Sequence, residues 1–102
     1  MVLTSFEQKV LAATKKIPKG QVSSYKEVAR FIGCSRASRA VGNALHKNPY
    51  APIVPCHRVV KTSGELGGFG GGIKNKIKLL ALEGIVVKNY KIINFKKVFY
   101  KF

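Results

Sequence analysis

The stretch Pro55-Cys56-His57-Arg58-Val59-Val60 sets a thiol beside an imidazole, directly behind a proline, in a chain of 102 residues with two cysteines and two histidines. A thiol is a poor nucleophile at its reference pKa of about 8.5, where only a few per cent is thiolate near neutral pH. A neighbouring base changes that, which makes Cys56 and His57 a candidate nucleophile and base. The same adjacency arises when a small buried hydrophobe precedes a surface histidine, since cysteine packs as a compact apolar side chain. On these two residues alone both readings stay open, because local cysteine signatures do not transfer between families.

The elements that must position this pair can be read from caps, periods and breakers. Thr4-Ser5-Phe6-Glu7 has capping-box spacing. Phe6, Val10, Leu11 and Ile17, with Ala13 between, predict a first helix stopped by Pro18 and Gly20. Ser24-Tyr25-Lys26-Glu27 repeats the cap, and a short helix runs to about Ile32 with Gly33 at its C′ position. Ser35 is expected to cap a third helix, from Arg36 to about Lys47, ended by Asn48-Pro49. Two short helices joined across Gly33-Cys34-Ser35 read as a helix-turn-helix, or as an ordinary helical hairpin. Pro49, Pro52 and Pro55 force extended backbone ahead of the thiol, and Val59-Val60 can form a brief strand. A glycine-rich loop around Phe69 follows, then a fourth helix from about Ile73 to Glu83 with Ile73, Ile77 and Leu80 facing inward. Ile85-Val86-Val87 and Ile92-Ile93 predict a hairpin turning at Asn89-Tyr90. The sum is a mainly α fold with short β: a winged helix-turn-helix-like DNA-binding domain with a small β-hairpin. The tail from Phe95 to Phe102 alternates lysine with aromatics and either packs on the core or adds to the basic surface.

Length predicts one domain over 1–102. Apolar residues make up 46%, enough for a globular core. No apolar run is long enough to span a bilayer, and no secretory signal pattern opens the chain. Cys34 and Cys56 do not make a disulfide framework and fit a reducing cytoplasm, with Cys34 structural. Nineteen Lys+Arg face four acids (Glu7, Glu27, Glu65 and Glu83), giving a formal charge of +15. Such an excess attracts polyanions, chiefly nucleic acid. A lysine-rich proteome or a thermophile's surface is the alternative, but thermophile surfaces gain Glu along with Lys, and this one does not. A zinc site from Cys34, His46, Cys56 and His57 lacks the usual short ligand spacing, so neither metal nor cofactor is expected.

Together these segments resemble the O6-alkylguanine-DNA alkyltransferases, also called methylated-DNA–protein-cysteine methyltransferases. Pro55-Cys56-His57-Arg58-Val59-Val60 is similar to that family's active-site motif, and Gly20-Gln21-Val22-Ser23-Ser24-Tyr25 to the segment before its helix-turn-helix. Ser38-Arg39-Ala40-Val41-Gly42-Asn43-Ala44-Leu45 resembles its recognition helix, Asn48-Pro49 the loop after it, and Leu79-Leu80-Ala81-Leu82-Glu83-Gly84 its closing helix. The resemblance implies a suicidal repair reaction, in which an alkylated guanine is flipped from duplex DNA and its alkyl group passes permanently to Cys56. By that resemblance His57 deprotonates Cys56 through a water, Glu83 holds the imidazole, Tyr25 offers its hydroxyl to the departing base, and Asn48 braces the active-site loop. Tyr25, Pro55, Val59, Phe69 and Gly70 would wall the substrate pocket. Arg39 would enter the stack in place of the flipped nucleotide. Arg36 would bind phosphate, while Ser38, Ala37, Ala40 and Gly42 keep the helix slim enough for a minor groove; close helix packing is the other reading of those small residues.

The chain departs from the family pattern in two places. The resemblance covers only the DNA-binding and active-site region, so the domain that precedes it in most members is expected to be absent, and Phe69 and Gly70 stand where many members have tyrosine and serine. The expected partner is duplex DNA containing alkylated guanine, bound by a monomer with no membrane attachment. Alkyltransferase-like proteins, which sense alkylated DNA without repairing it, are of similar length but usually carry tryptophan in place of the cysteine. A winged-helix transcription factor would explain the charge and the helix-turn-helix, but would leave Cys56, His57 and Glu83 without a role.

Overall fold

A computed structural model describes residues 3–68 and 72–102. Helix α1 (Ser5–Thr14) begins on a capping box in which the Thr4 hydroxyl accepts from the Glu7 N–H and the Glu7 carboxylate accepts from the Thr4 N–H. It ends three residues earlier than its apolar period suggested: Ile17 is buried, but in the turn beyond the helix. Strand β1 (Ser23–Ser24) leads directly into α2 (Tyr25–Phe31), whose cap is the Ser24 hydroxyl accepting from the Glu27 N–H.

Helix α3 spans Ser38–His46, so it begins two residues after the expected Arg36. Ser35 is not its cap. The N–H of Cys34 bonds Ala29 O and that of Ala37 bonds Cys34 O, each at 2.8 Å. The reversal from α2 therefore consumes residues through Ala37, which holds the N-cap position without a side-chain bond. Helices α1, α2 and α3 close around Val10, Leu11, Val28, Val41, Leu45 and Cys56.

A single 3-10 turn, Cys56–Arg58, runs into β2 (Val59–Val60), and β2 pairs in parallel with β1, Ser23 against Val59 and Ser24 against Val60. Both valines are fully buried, each contributing roughly 1.5 kcal/mol or more. This short pairing matters for the site because it fixes the start of α2, and hence Tyr25, beside the end of the 3-10 turn. Helix α4 (Ile73–Leu82) buries Leu80 and Lys76, while Ile73 and Ile77 are only half-buried; Glu83 is its C-cap, not its last turn.

Strands β3 (Val87–Lys88) and β4 (Lys91–Ile92) form an antiparallel hairpin through Asn89 and Tyr90, with φ of 52° and 60°. Two consecutive left-handed residues are what a tight hairpin matching the strand twist requires. The tail contributes a short helix α5 (Phe95–Val98), which the lysine–aromatic alternation concealed. Beyond it, Val22 N–H bonds Val98 O and Tyr100 N–H bonds Val22 O, so the tail lies alongside β1 on the side away from β2. The Phe102 ring stacks on Phe31 at 4.5 Å between centroids.

Candidate active site

Cys56 sits where the 3-10 turn begins, held by its N–H to Val54 O at 2.8 Å, and Arg58 N–H closes the turn on Pro55 O at 2.9 Å. The cysteine is 8% exposed. That small opening faces a cavity of about 420 Å³ whose walls include Tyr25, Ser38, Arg39, Gly42, Lys61 and Gly67. A second cavity, of about 580 Å³, also borders Cys56 and shares Leu45 and His46 with the first, with Asn48 and Leu79 in its wall. A buried thiol that borders two cavities is accessible to a ligand while screened from bulk water.

His57 is 2% exposed, and its Nε2 lies 3.1 Å from Glu83 Oε2. A carboxylate only accepts, so Nε2 carries the proton and Nδ1 carries the lone pair. Nδ1 is buried and has no hydrogen-bond partner among the described residues. The imidazole is thus oriented by one nitrogen and basic at the other. Burial lowers the pKa of His57; the Glu83 contact opposes this, and the charges of Arg58 and Lys76 add to the lowering. The ring therefore stays neutral, and able to accept a proton, at neutral pH.

Glu83 is itself clamped. Arg58 Nε donates to Oε1 at 2.9 Å, Arg58 Nη2 donates to Oε2, and Arg58 Nη1 donates to Ile17 O at 2.8 Å. Burial would raise the Glu83 pKa, but the bonds from Arg58 and His57 hold it below the ordinary carboxylate range. One guanidinium ties the exit of α1, the 3-10 turn and the end of α4 to one carboxylate. Sequence reasoning missed this role of Arg58, although the residue stands inside the motif; its partner lies 25 positions away.

Tyr25 is half-buried with its ring against Gly42, where an added Cβ would stand 3.7 Å from Cδ1 and Cε1. Its hydroxyl lies 3.5 Å from Gly68 O, a long contact. Burial, then the charge of Cys56, pushes its pKa up to about 12, so the phenol keeps its proton. Gly67, with φ +71°, must be glycine on two counts: a Cβ there would meet the Tyr25 hydroxyl oxygen at 2.9 Å.

Asn48 donates from Nδ2 to Val54 O at 2.8 Å and accepts the Tyr50 N–H at 2.9 Å, spanning the loop between α3 and the 3-10 turn. Cys56, His57, Glu83, Tyr25, Asn48, Pro55 and Val59 thus form one connected region. Phe69 and Gly70, expected in the pocket, lie outside the described residues. On α3, Arg39 and Ala40 are exposed, Ser38 and Gly42 are half-buried, and Ala44 is buried, while Arg36 and Ala37 stand in the turn ahead of the helix. The small residues therefore serve two faces: Gly42 and Ala44 allow close packing, and Ala40 keeps the outer face slim.

The residue missed altogether is Lys76. It is 1% exposed, and its Nζ donates to Val59 O at 2.8 Å, Leu66 O at 2.6 Å and Gly68 O at 3.2 Å. Burial lowers its pKa to about 8, against the opposing charge of Cys56. The helical period does put position 76 on the stripe of Ile73 and Leu80, a signal that could have found it.

The model of the family described as 6-O-methylguanine DNA methyltransferase, DNA binding domain, matches residues 5–85. The methylated-DNA–protein-cysteine methyltransferase of Mycobacterium leprae is 51% identical over 80 residues, which are 78% of this chain and 48% of that protein. Its namesake from Methanosarcina acetivorans is 49% identical over 81 residues, covering 79% and 52%. The chain spans about half the length of the curated relatives it matches. Among solved structures, Mycobacterium tuberculosis OGT in complex with DNA superposes with a TM-score of 0.79 at 52% identity, covering 80% of this chain and 51% of that one. S. pombe Atl1, in complex with damaged DNA containing O6-carboxymethylguanine, superposes with a TM-score of 0.83 at 30% identity, covering 99% of both chains. With a Cys-His-Glu array set behind a helix-turn-helix and these matches in sequence and shape, the chain belongs to the 6-O-methylguanine DNA methyltransferase family, through its DNA-binding domain.

Proposed function

We propose that the protein repairs DNA by transferring the alkyl group of O6-alkylguanine in duplex DNA to Cys56, once per molecule. The observation that carries this reading is the His57 ring, its Nε2 committed to Glu83 and its Nδ1 buried without a hydrogen-bond partner among the described residues, in the residue that follows a thiol bordering a cavity. In the reaction His57 takes the thiol proton through a water, the Cys56 sulfur attacks the alkyl carbon, and the carbon–O6 bond breaks. The electron pair leaves with the guanine, and the Tyr25 hydroxyl, still protonated at neutral pH, hydrogen-bonds the departing base. Because a thioether has no ready leaving group, the sulfur is not regenerated.

The extruded base is read by Tyr25, Pro55, Val59 and Gly67. Arg39, exposed on α3 at the cavity mouth, fills the gap left in the stack, and Arg36 and the lysines neutralise phosphates. Two structural neighbours, M. tuberculosis OGT and S. pombe Atl1, are complexes with DNA, which supports DNA as the partner.

A second reading is a sensor that binds alkylated DNA without chemistry. The match to S. pombe Atl1 over nearly the whole chain favours it, and Cys56 with its oriented base opposes it. Incubation with duplex DNA containing O6-methylguanine separates the two. Repair adds the mass of one methyl group to the Cys56 peptide and stops at one equivalent; tight binding with no added mass would establish the sensor.

A further inference from the structure

The β3–β4 hairpin lies beyond residues 5–85, the stretch that the family match covers. Its ladder alternates faces. The pair Val87 and Ile92 turns inward, with Ile92 buried among Leu66, Leu80 and Ile85. The pair Lys88 and Lys91 turns outward, as do Val86 and Ile93, where the Ile93 N–H donates to Val86 O at 2.9 Å. Two features of the outward side work against the fold. Lys88 stands directly opposite Lys91, and like charges in register are destabilising. Tyr90, 63% exposed, holds a left-handed position with φ 60°, where a tight turn of this kind favours glycine and a bulky side chain is an outlier. No hydrogen bond, ion pair or ring contact among the described residues engages the side chains of Lys88, Tyr90 or Lys91. Side chains that strain their own element, with nothing inside the molecule to offset it, point to a partner outside it.

The hairpin is also tied to the site. Leu66 N–H donates to Tyr90 O at 3.0 Å and Ile92 N–H donates to Gly64 O at 2.9 Å, so residues 64–66 run alongside β4. Lys61 and Gly67, at either side of that segment, stand in the wall of the cavity that Ser38 and Arg39 border from α3. One loop thus carries the cavity wall at its ends and the hairpin at its middle. We propose that the β3–β4 hairpin is a second DNA-contacting element, in which Lys88, Lys91 and the Tyr90 hydroxyl bind backbone phosphates of the duplex beside the segment that α3 enters. This rests on duplex DNA being the partner. The chemistry is phosphate recognition, which positions a duplex without reading its sequence. Lys61, exposed in the cavity wall, continues the positive line from the hairpin towards Arg39. Glu65, opposite Lys91, is the one acid beside them among the described residues, and its Oε1 accepts from the Ser63 hydroxyl. Two ammonium groups in register repel each other in the free protein, and a phosphate placed against both removes that repulsion.

The test measures binding of the whole chain to an undamaged, fluorescently labelled duplex by anisotropy, from about 50 to 200 mM salt. Lys88→Gln/Lys91→Gln is compared with Lys16→Gln/Lys19→Gln. The second pair removes the same charge from exposed positions around Ile17, whose carbonyl holds Arg58 behind the active site. The hairpin pair should weaken binding about tenfold and flatten the slope of log K against log salt by about two. The control pair should stay within about twofold with its slope unchanged. Tyr90→Gly should raise the melting temperature, because glycine relieves the left-handed position, and yet weaken duplex binding about threefold. Equal effects of the two double variants would mean that net charge alone sets the affinity, and would overturn the proposal. So would a Tyr90→Gly protein of full affinity. Loss of a wild-type dimer in the hairpin variants by sedimentation, with duplex binding intact, would assign this face to a second copy and likewise overturn it. If the wild type binds no duplex, the reading beneath the proposal fails with it. If it binds but gains no methyl from O6-methylguanine DNA, only the repair reading fails, and the comparison of variants still decides the role of the hairpin.

Discussion

The floor of the site and the helix above it are built on opposite principles. Among the described residues the floor's polar side chains are engaged: Glu83 by His57 and Arg58, Arg58 by Glu83 and Ile17 O, Lys76 by the carbonyls of Val59, Leu66 and Gly68, and Asn48 by the loop it spans. The outward side chains of α3 are engaged by nothing comparable among the described residues, and the helix begins without a side-chain cap. The floor is arranged before any substrate arrives, whereas the helix offers shape and charge to a partner that is yet to come. Substitutions in the floor should therefore change the rate of transfer and leave DNA affinity alone, and substitutions on α3 should do the reverse.

The largest break in that comparison is Cys56→Ala. Transfer should disappear entirely, while affinity for duplex DNA stays within about threefold because the thiol touches no phosphate. A comparable loss of binding would mean that floor and helix are coupled. Next is Glu83→Gln. The amide can present its NH2 to His57 and thereby favour the wrong tautomer, so the transfer rate should fall by about 10²-fold, within the range of lost general base catalysis. In wild type, burial holds the His57 pKa below the ordinary histidine value, so the rate should be level around neutrality and fall only below that value. In Glu83→Gln that level region should shrink in height, and a stopped-flow rate unchanged at every pH would remove the imidazole from the proton path.

How much of this was legible follows the same division. The chemistry was written locally: Cys56 and His57 are neighbours, Ser24 caps α2, and Asn89-Tyr90 makes the hairpin turn where the pattern put it. What escaped was non-local or of mixed character. Lysine counts as polar in any periodicity, yet Lys76 has the length to cross the core and reach carbonyls in two segments, so α4 hides a charge on its apolar stripe. The start of α3 was misjudged because Ser35 is a good cap in isolation, whereas the turn bonds of Cys34 and Ala37 need those residues elsewhere. The tail was unreadable as structure because its partner, Val22, is more than seventy positions away.

On the helix side, Arg39→Ala should lower repair of duplex DNA by about tenfold, the loss expected when an unstacking cost of a few kcal/mol is only partly offset. Reaction with free O6-benzylguanine, which needs no extrusion, should change by less than twofold. Equal losses on the two substrates would move Arg39 from the helix's function into the floor's.

The smallest effect separates the two uses of small residues on α3. Gly42 packs on the Tyr25 ring with room for a methyl at 3.7 Å, and glycine in a helix interior costs about 0.5–1 kcal/mol relative to alanine. Gly42→Ala should therefore raise the melting temperature by a few degrees and leave duplex affinity and transfer within about twofold. Ala40 is exposed, so Ala40→Leu should leave the melting temperature unchanged and weaken duplex binding severalfold by widening the face that enters the groove. If the two variants exchange these signatures, the assignment of faces is reversed: the helix meets DNA through the side that holds Tyr25, and the extruded base must enter from the cavity bordered by Asn48 and Leu79.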